Sequence, residues 1–241
     1  NLSQVFLMGT NMSGANLWNA NLSEAIFFSI DLSGADLSRV NFSGADCSPY
    51  KLPSDNLRVV NFSNAKIFAV NFSKAKLSGI DLSKAVTLKA RKQRVISLDE
   101  AQEMLKSMTQ AEFEGEKGYD FKGFSAPLVF HQTVLTEANL SQLNLNLSDL
   151  SQATLIRTNL SEADLSNANL EGANLEGANL EGANLKNATL KYANLSKTNL
   201  EGAEVGQQWF TKIEGWNVVG VHEIKALYFI DKKGKLRRHQ Q

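Results

Sequence analysis

Every fifth residue from Leu2 is apolar, through Leu7, Met12, Leu17, Leu22, Phe27 and onward to Leu82, 17 positions without a miss. A second series of 16 runs from Phe130 to Val205 and is leucine at all but its two ends. In a chain that is 43% hydrophobic, such a run is not accidental. A period of five fits neither the 3.6-residue helix nor the two-residue strand. One repeat alone cannot bury its apolar side chain, so a core can form only when units stack.

Each unit also has a fixed interior. The residue two before the apolar one is usually small, as at Ala15, Ala20, Ala25, Ala35, Ala45 and Ala65, and is alanine without a break from Ala163 to Ala193. Between the two stands Asn or Asp, as at Asn169, Asn174, Asn179 and Asn184, and two polar or glycine residues follow. Units such as ANLEG and ADLSN resemble the pentapeptide-repeat family, whose units read A(D/N)LXX, and the likeness covers about two-thirds of the chain. The resemblance implies an all-β fold, a right-handed quadrilateral β-helix. Each pentad makes one side, four make a 20-residue coil, and coils stack at about 4.8 Å. It also suggests a source among photosynthetic bacteria, where the family has many members.

Two stretches depart from the period. Leu82 and Phe130 are 48 residues apart, which is not a multiple of five, so two stacks are expected, 1–86 and 130–205, around an insert at 87–129. The insert opens with Lys89, Arg91, Lys92 and Arg94. Ser97 and Glu100 then form a capping-box pair, and Leu98, Ala101, Leu105 and Met108 recur at helical spacing, which predicts a short helix over about 97–109. Tyr50 and Asp55 stand where a small residue belongs, beside Pro49 and Pro53, so a bulge or loop is expected there. From Gly206 the pattern stops. Residues 206–241 read as an aromatic cap on the last coil, ending in a hairpin about Lys233 and Gly234.

The chemistry-bearing residues are sparse. His131, His222 and His239 have no ligand spacing, Cys47 occupies a core position, and Gly172, Gly177 and Gly182 merely follow the period. No enzymatic activity, metal or cofactor is expected. The 25 basic and 25 acidic residues balance, and no run approaches the roughly 18 apolar residues of a membrane span. A soluble chain follows, with the cytoplasm as default compartment. Its start at Asn1, inside a repeat and without methionine, predicts a processed chain or a piece of a longer one.

If residues 20 apart stack, one side carries large apolar residues outward: Phe6, Met8, Ile26, Phe28 and Phe68, in a column with Asp46 and Lys66. Trp18 is expected on the neighbouring side as an extension. An exposed apolar cluster on a soluble protein asks for a cover, either a partner protein, a second copy, or the chain's own insert or tail. A non-catalytic interaction scaffold is the first expectation. A DNA mimic acting on DNA gyrase, as the resemblance allows, is the second. Residues 130–205 carry nine acidic and four basic residues, and 1–86 six and seven. The third is binding of an anionic surface by Lys232, Lys233, Lys235, Arg237 and Arg238, in a tail with seven basic and three acidic residues. Binding of DNA itself is not expected.

Overall fold

The computed structural model describes residues 1–48, 50–51, 57–58, 60–62, 65, 70, 72, 75–77, 80–82, 85 and 128–240. The expected helix at 97–109, the basic stretch Lys89–Arg94 and Phe68 lie outside the described residues.

The sequence unit explains the local geometry. The Asx carboxyl or amide oxygen accepts the backbone N–H two residues on, as from Ser13 to Asn11 (2.8 Å), Ser33 to Asp31 (2.9 Å) and Glu171 to Asn169 (3.1 Å). This Asx turn swings the chain outward after the apolar residue. The next residue completes the corner with positive φ, as at Glu162 (57°) and Gly177 (67°). Only one residue per side is left to bridge its neighbours, so the ladder consists mainly of isolated parallel bridges: Asn139 to Asn159, Asn159 to Asn179, Asn179 to Asn199. Two sides without Asx straighten into strand. Phe6–Met8 (β1) and Ile26–Phe28 (β2) pair in parallel, Phe6 with Ile26 and Met8 with Phe28.

Leu and Phe at the fifth positions and the alanines two before them fill the interior of this β-helix-type coil. From Leu22 onward the described fifth-position residues inside the coil are at most 1% exposed. At about 1.5 to 3 kcal/mol per buried large side chain, this ladder is the main source of cohesion. Asn side chains add a second ladder outside, with Asn159 Nδ2 donating to Asn139 Oδ1 (3.1 Å) and Asn199 to Asn179 (3.0 Å).

The pairing interval corrects two expectations. It is 20 residues through Ile26 and Asp46, but Asp31 pairs with Asn61 and Asp46 with Lys76, an interval of 30. The ten extra residues leave the coil as a hairpin, Tyr50–Lys51 (β3) antiparallel to Leu57–Arg58 (β4). Leu57, counted among the apolar fifth positions, stands in a hairpin strand. The second interruption does not make two stacks. Lys76 pairs with Val134 and Asp81 with Asn139, so the ladder continues directly across the insert. Phe72 stacks flat on Phe42 (5.3 Å) below and on Phe130 (5.2 Å) above. The lost phase between Leu82 and Phe130 has no effect on the register of the bridges.

The tail closes the last coil with a mixed structure. Trp209–Gly215 (α1) and Val221–Leu227 (α2) precede Tyr228–Ile230 (β5) and Leu236–Arg238 (β6), an antiparallel hairpin with Gly234 in its turn region. Its backbone takes over the coil's own bonds: Leu195 N–H donates to Val219 O, Gly202 N–H to Leu236 O, and Val205 N–H to Gly234 O. Trp209, Ile213, Val221, Ile224, Tyr228 and Leu236 are buried.

Carboxylates on the coil help to hold the cap. Glu204 pairs with Lys186 (2.7 Å) and Lys235 (3.0 Å), and their hydrogen bonds hold its pKa below the ordinary 4.5. A depressed carboxyl stabilises the fold above its unfolded pKa and loses that contribution as pH falls through the folded value. The cap should therefore loosen as pH falls below about 4.5. Tryptophan fluorescence of Trp209 and Trp216 should report it, and Glu204→Gln should flatten the response.

Candidate interaction surface

The apolar side begins on β1 and β2. Phe6 is 60% exposed, Met8 70% and Ile26 39%, while Phe28 is half-buried and meets the Phe6 ring edge-on at 5.3 Å. The local cause is the missing Asx. Phe6 and Ile26 occupy the bridging position, their side chains point away from the coil, and the parallel pairing sets them side by side. Four side chains thus form a flat pad two rungs high.

Above the pad the same column turns charged and then β-branched. Asp46 bridges Ile26 on one side and Lys76 on the other, and its carboxylate accepts from Lys76 Nζ at 2.7 Å. Burial pushes the Asp46 carboxyl up, but hydrogen bonds from Lys76 and Ser48 outweigh it and leave its pKa below the usual carboxylate value. The same bond raises the Lys76 ammonium. Val134 and Thr154 follow in the ladder, both half-buried. The residue above Asp46 is thus Lys76, where a uniform 20-residue step would have put Lys66.

Trp18 does not extend the pad. It lies two corners beyond Met8, in the column of the Asn16 to Asp36 bridge, and the Arg39 guanidinium sits over its ring at 5.7 Å.

The reactive groups are committed to structure. Cys47 is fully buried, which pushes its thiol pKa up, and the neighbouring Asp46 charge adds to the effect. His131 Nδ1 lies 2.7 Å from Ser151 Oγ, which donates to Asp149 Oδ1 at 2.6 Å. Ser161 and Ser166 make the same bond to Asn159 and Asp164, so the Ser151 contact is the repeat's own turn. A serine whose proton goes to a carboxylate is not activated by the histidine on its other side. Among the described residues no cluster of His, Cys, Asp and Glu could hold a metal, and no helix is long and apolar enough to cross a membrane.

Much of the basic tail is engaged with the coil and with its own turn. Lys235 pairs with Glu204, and Arg237 reaches Asp231 (3.3 Å) and Glu201 (3.5 Å). Arg238 sits over the Tyr228 ring. Lys232 and Lys233 stand exposed on the hairpin turn. In the second block, Glu137 pairs with Arg157 (2.6 Å) and Glu176 with Lys197 (2.9 Å), which breaks up its negative charge.

A family model described as pentapeptide repeats matches eight copies, over residues 1–27, 29–48, 56–85, 133–172 and 168–204, more than half of the chain. Solved structures that resemble it include HetL, a pentapeptide repeat protein involved in heterocyst differentiation regulation from the cyanobacterium Nostoc sp. strain PCC 7120. It is 26% identical, with 84% of this chain and 79% of that one covered and a TM-score of 0.43. QnrB1, a plasmid-mediated fluoroquinolone resistance protein, is 18% identical over 90% of this chain and 99% of that one, TM-score 0.45. Rfr23 from the cyanobacterium Cyanothece 51142 is 24% identical over 89% and 90%, TM-score 0.20. Among curated proteins no match was found.

Proposed function

Because the chain belongs to the pentapeptide-repeat family, we propose that it is a non-catalytic protein-interaction scaffold, docking through the pad of Phe6, Met8, Ile26 and Phe28. The coil is read as right-handed and square in section, in keeping with four corners per 20 residues. Residues 206–241 are its cap, and Leu128 and Val129, at the end of the expected insert, belong to the coil, with Val129 bridging Asp149. The observation that carries the reading is the exposure of Phe6, Met8 and Ile26 on a rigid ladder whose other Asx-bearing sides are polar. Burying such residues against a partner is worth about 25 cal/mol per Å² of apolar surface, whereas leaving them in water brings no return.

The test is affinity capture with the wild-type chain and with Phe6→Asp/Met8→Asp. Both residues point away from the interior, so the melting temperature should change little while capture falls at least about tenfold, as expected when charge enters an apolar contact. Undiminished capture would remove the pad from the function.

A further inference from the structure

We infer that the partner of this side is a second copy of the same chain, lying antiparallel face to face; the inference rests on the scaffold reading above. The column runs in the order Phe6, Ile26, Asp46, Lys76, Val134, Thr154, fixed by consecutive parallel bridges. A two-fold axis lying in this face, along its strand direction and between the Asp46 and Lys76 rungs, reverses the order in the second copy. Asp46 then faces Lys76 of the second copy, and Lys76 faces its Asp46. Ile26 meets Val134, and in the row two residues along, Met8 meets Ile156.

Three observations favour this arrangement. The column is self-complementary in charge, acid and base being adjacent rungs and both accessible, with Lys76 side chain 61% and Asp46 side chain 27% exposed. A closed two-fold contact requires that property. The side facing the pad would be β-branched, since Val134, Thr154 and Ile156 replace the Asx and Ser found at equivalent places on other sides. The size also discriminates. Six rungs at about 4.8 Å span roughly 29 Å, giving on the order of 1,000 Å² of surface buried between two copies, at the lower edge of stable interfaces. The pad alone falls well short of that. A two-fold axis along the rod would set Phe6 against Met8 but would give Asp46 and Lys76 no opposite charge across the contact.

Sedimentation velocity over roughly 1 to 300 µM, the range for an interface of this size, tests the arrangement. The wild type should pass from monomer to dimer. Asp46→Lys alone and Lys76→Asp alone should each weaken self-association by about tenfold or more, because like charges then face each other. An equimolar mixture of the two single variants should dimerise again, since each then meets the opposite charge, and Asp46→Lys/Lys76→Asp should dimerise by itself. Recovery in the mixture shows that the single variants are folded. A wild type that stays monomeric, or a dimer indifferent to these reversals, overturns the inference. If the chain is monomeric yet Phe6→Asp/Met8→Asp still abolishes capture of another protein, the scaffold reading stands and only the self-partner falls.

Discussion

Phe72→Ala should cost about 3 to 5 kcal/mol, the usual penalty for emptying a buried aromatic site, and should split the unfolding transition. Phe72 has no exposed surface and lies flat between Phe42 and Phe130, at 10° and 8°. It also meets Phe62 edge-on at 6.4 Å. These contacts join the coils on either side of the insert, together with main-chain bonds such as Phe72 N–H to Val129 O and the Thr133 hydroxyl, which donates to Phe72 O. In a solenoid each coil is stabilised by its neighbours, so loss at one rung uncouples the two ends. Thermal unfolding of Phe72→Ala should therefore show two steps, and Phe72→Leu should restore most of the stability. A single undisplaced transition would mean that the stack does not join the blocks. The Phe72 and Phe130 pair should show a coupling of about 0.5 to 1.5 kcal/mol in a double-mutant cycle.

The second large effect is expected where the cap touches the coil. A Cβ on Gly220 would lie 2.8 Å from the Ser196 nitrogen and 3.0 Å from the Leu195 carbonyl carbon, and one on Gly234 would lie 2.7 Å from Val205 O. These neighbours are backbone atoms of the last coil and cannot turn aside. Both glycines also have positive φ, 91° and 79°, which costs another residue about 1 to 2 kcal/mol. Gly220→Ala and Gly234→Ala should each release the cap, at a cost of more than about 2 kcal/mol once strain and lost packing combine. Hydrogen exchange should then accelerate at Val219 and Leu236 while amides near Leu160 keep their protection. Gly177→Ala is the control. Its φ is 67°, but its nearest neighbour is the flexible Arg157 side chain at 3.4 Å, so it should show the conformational penalty alone.

The interior was legible because a side chain that must fill a narrow coil leaves a strict mark. Leu140 to Leu200 could be placed from spacing alone. The ten residues around the hairpin were not legible in the same way, because ten is two whole pentads. Leu52 and Leu57 keep the apolar beat although the chain has left the coil at Leu57. The contrary signal was in the small position, where Tyr50 and Asp55 do not fit, and in the two prolines. A loss of phase at the insert suggests a break, yet the bridge from Lys76 to Val134 keeps the ladder in register across it. The pad was half legible. Phe6, Met8, Ile26 and Phe28 follow from the first 20-residue step, before any excursion, whereas a place for Lys66 over Asp46 needs that step to hold across the hairpin, where it does not. The cap's helices and backbone pairings had no period to announce them, since they depend on contacts with the last coil.

The hairpin has a consequence for which residues share a side. Had its two pentads stayed in the coil, everything after it would be turned by half a revolution relative to the first rungs, and Lys66 would stand over Asp46 in place of Lys76. Expelling ten residues works like the detent of a combination dial. It leaves every interior contact type unchanged and selects which downstream residues line up with the upstream ones. Five residues expelled instead of ten would bring a third alignment into view. Such a chain can thus vary what it presents to a partner by moving a corner loop, with no substitution on the presenting surface.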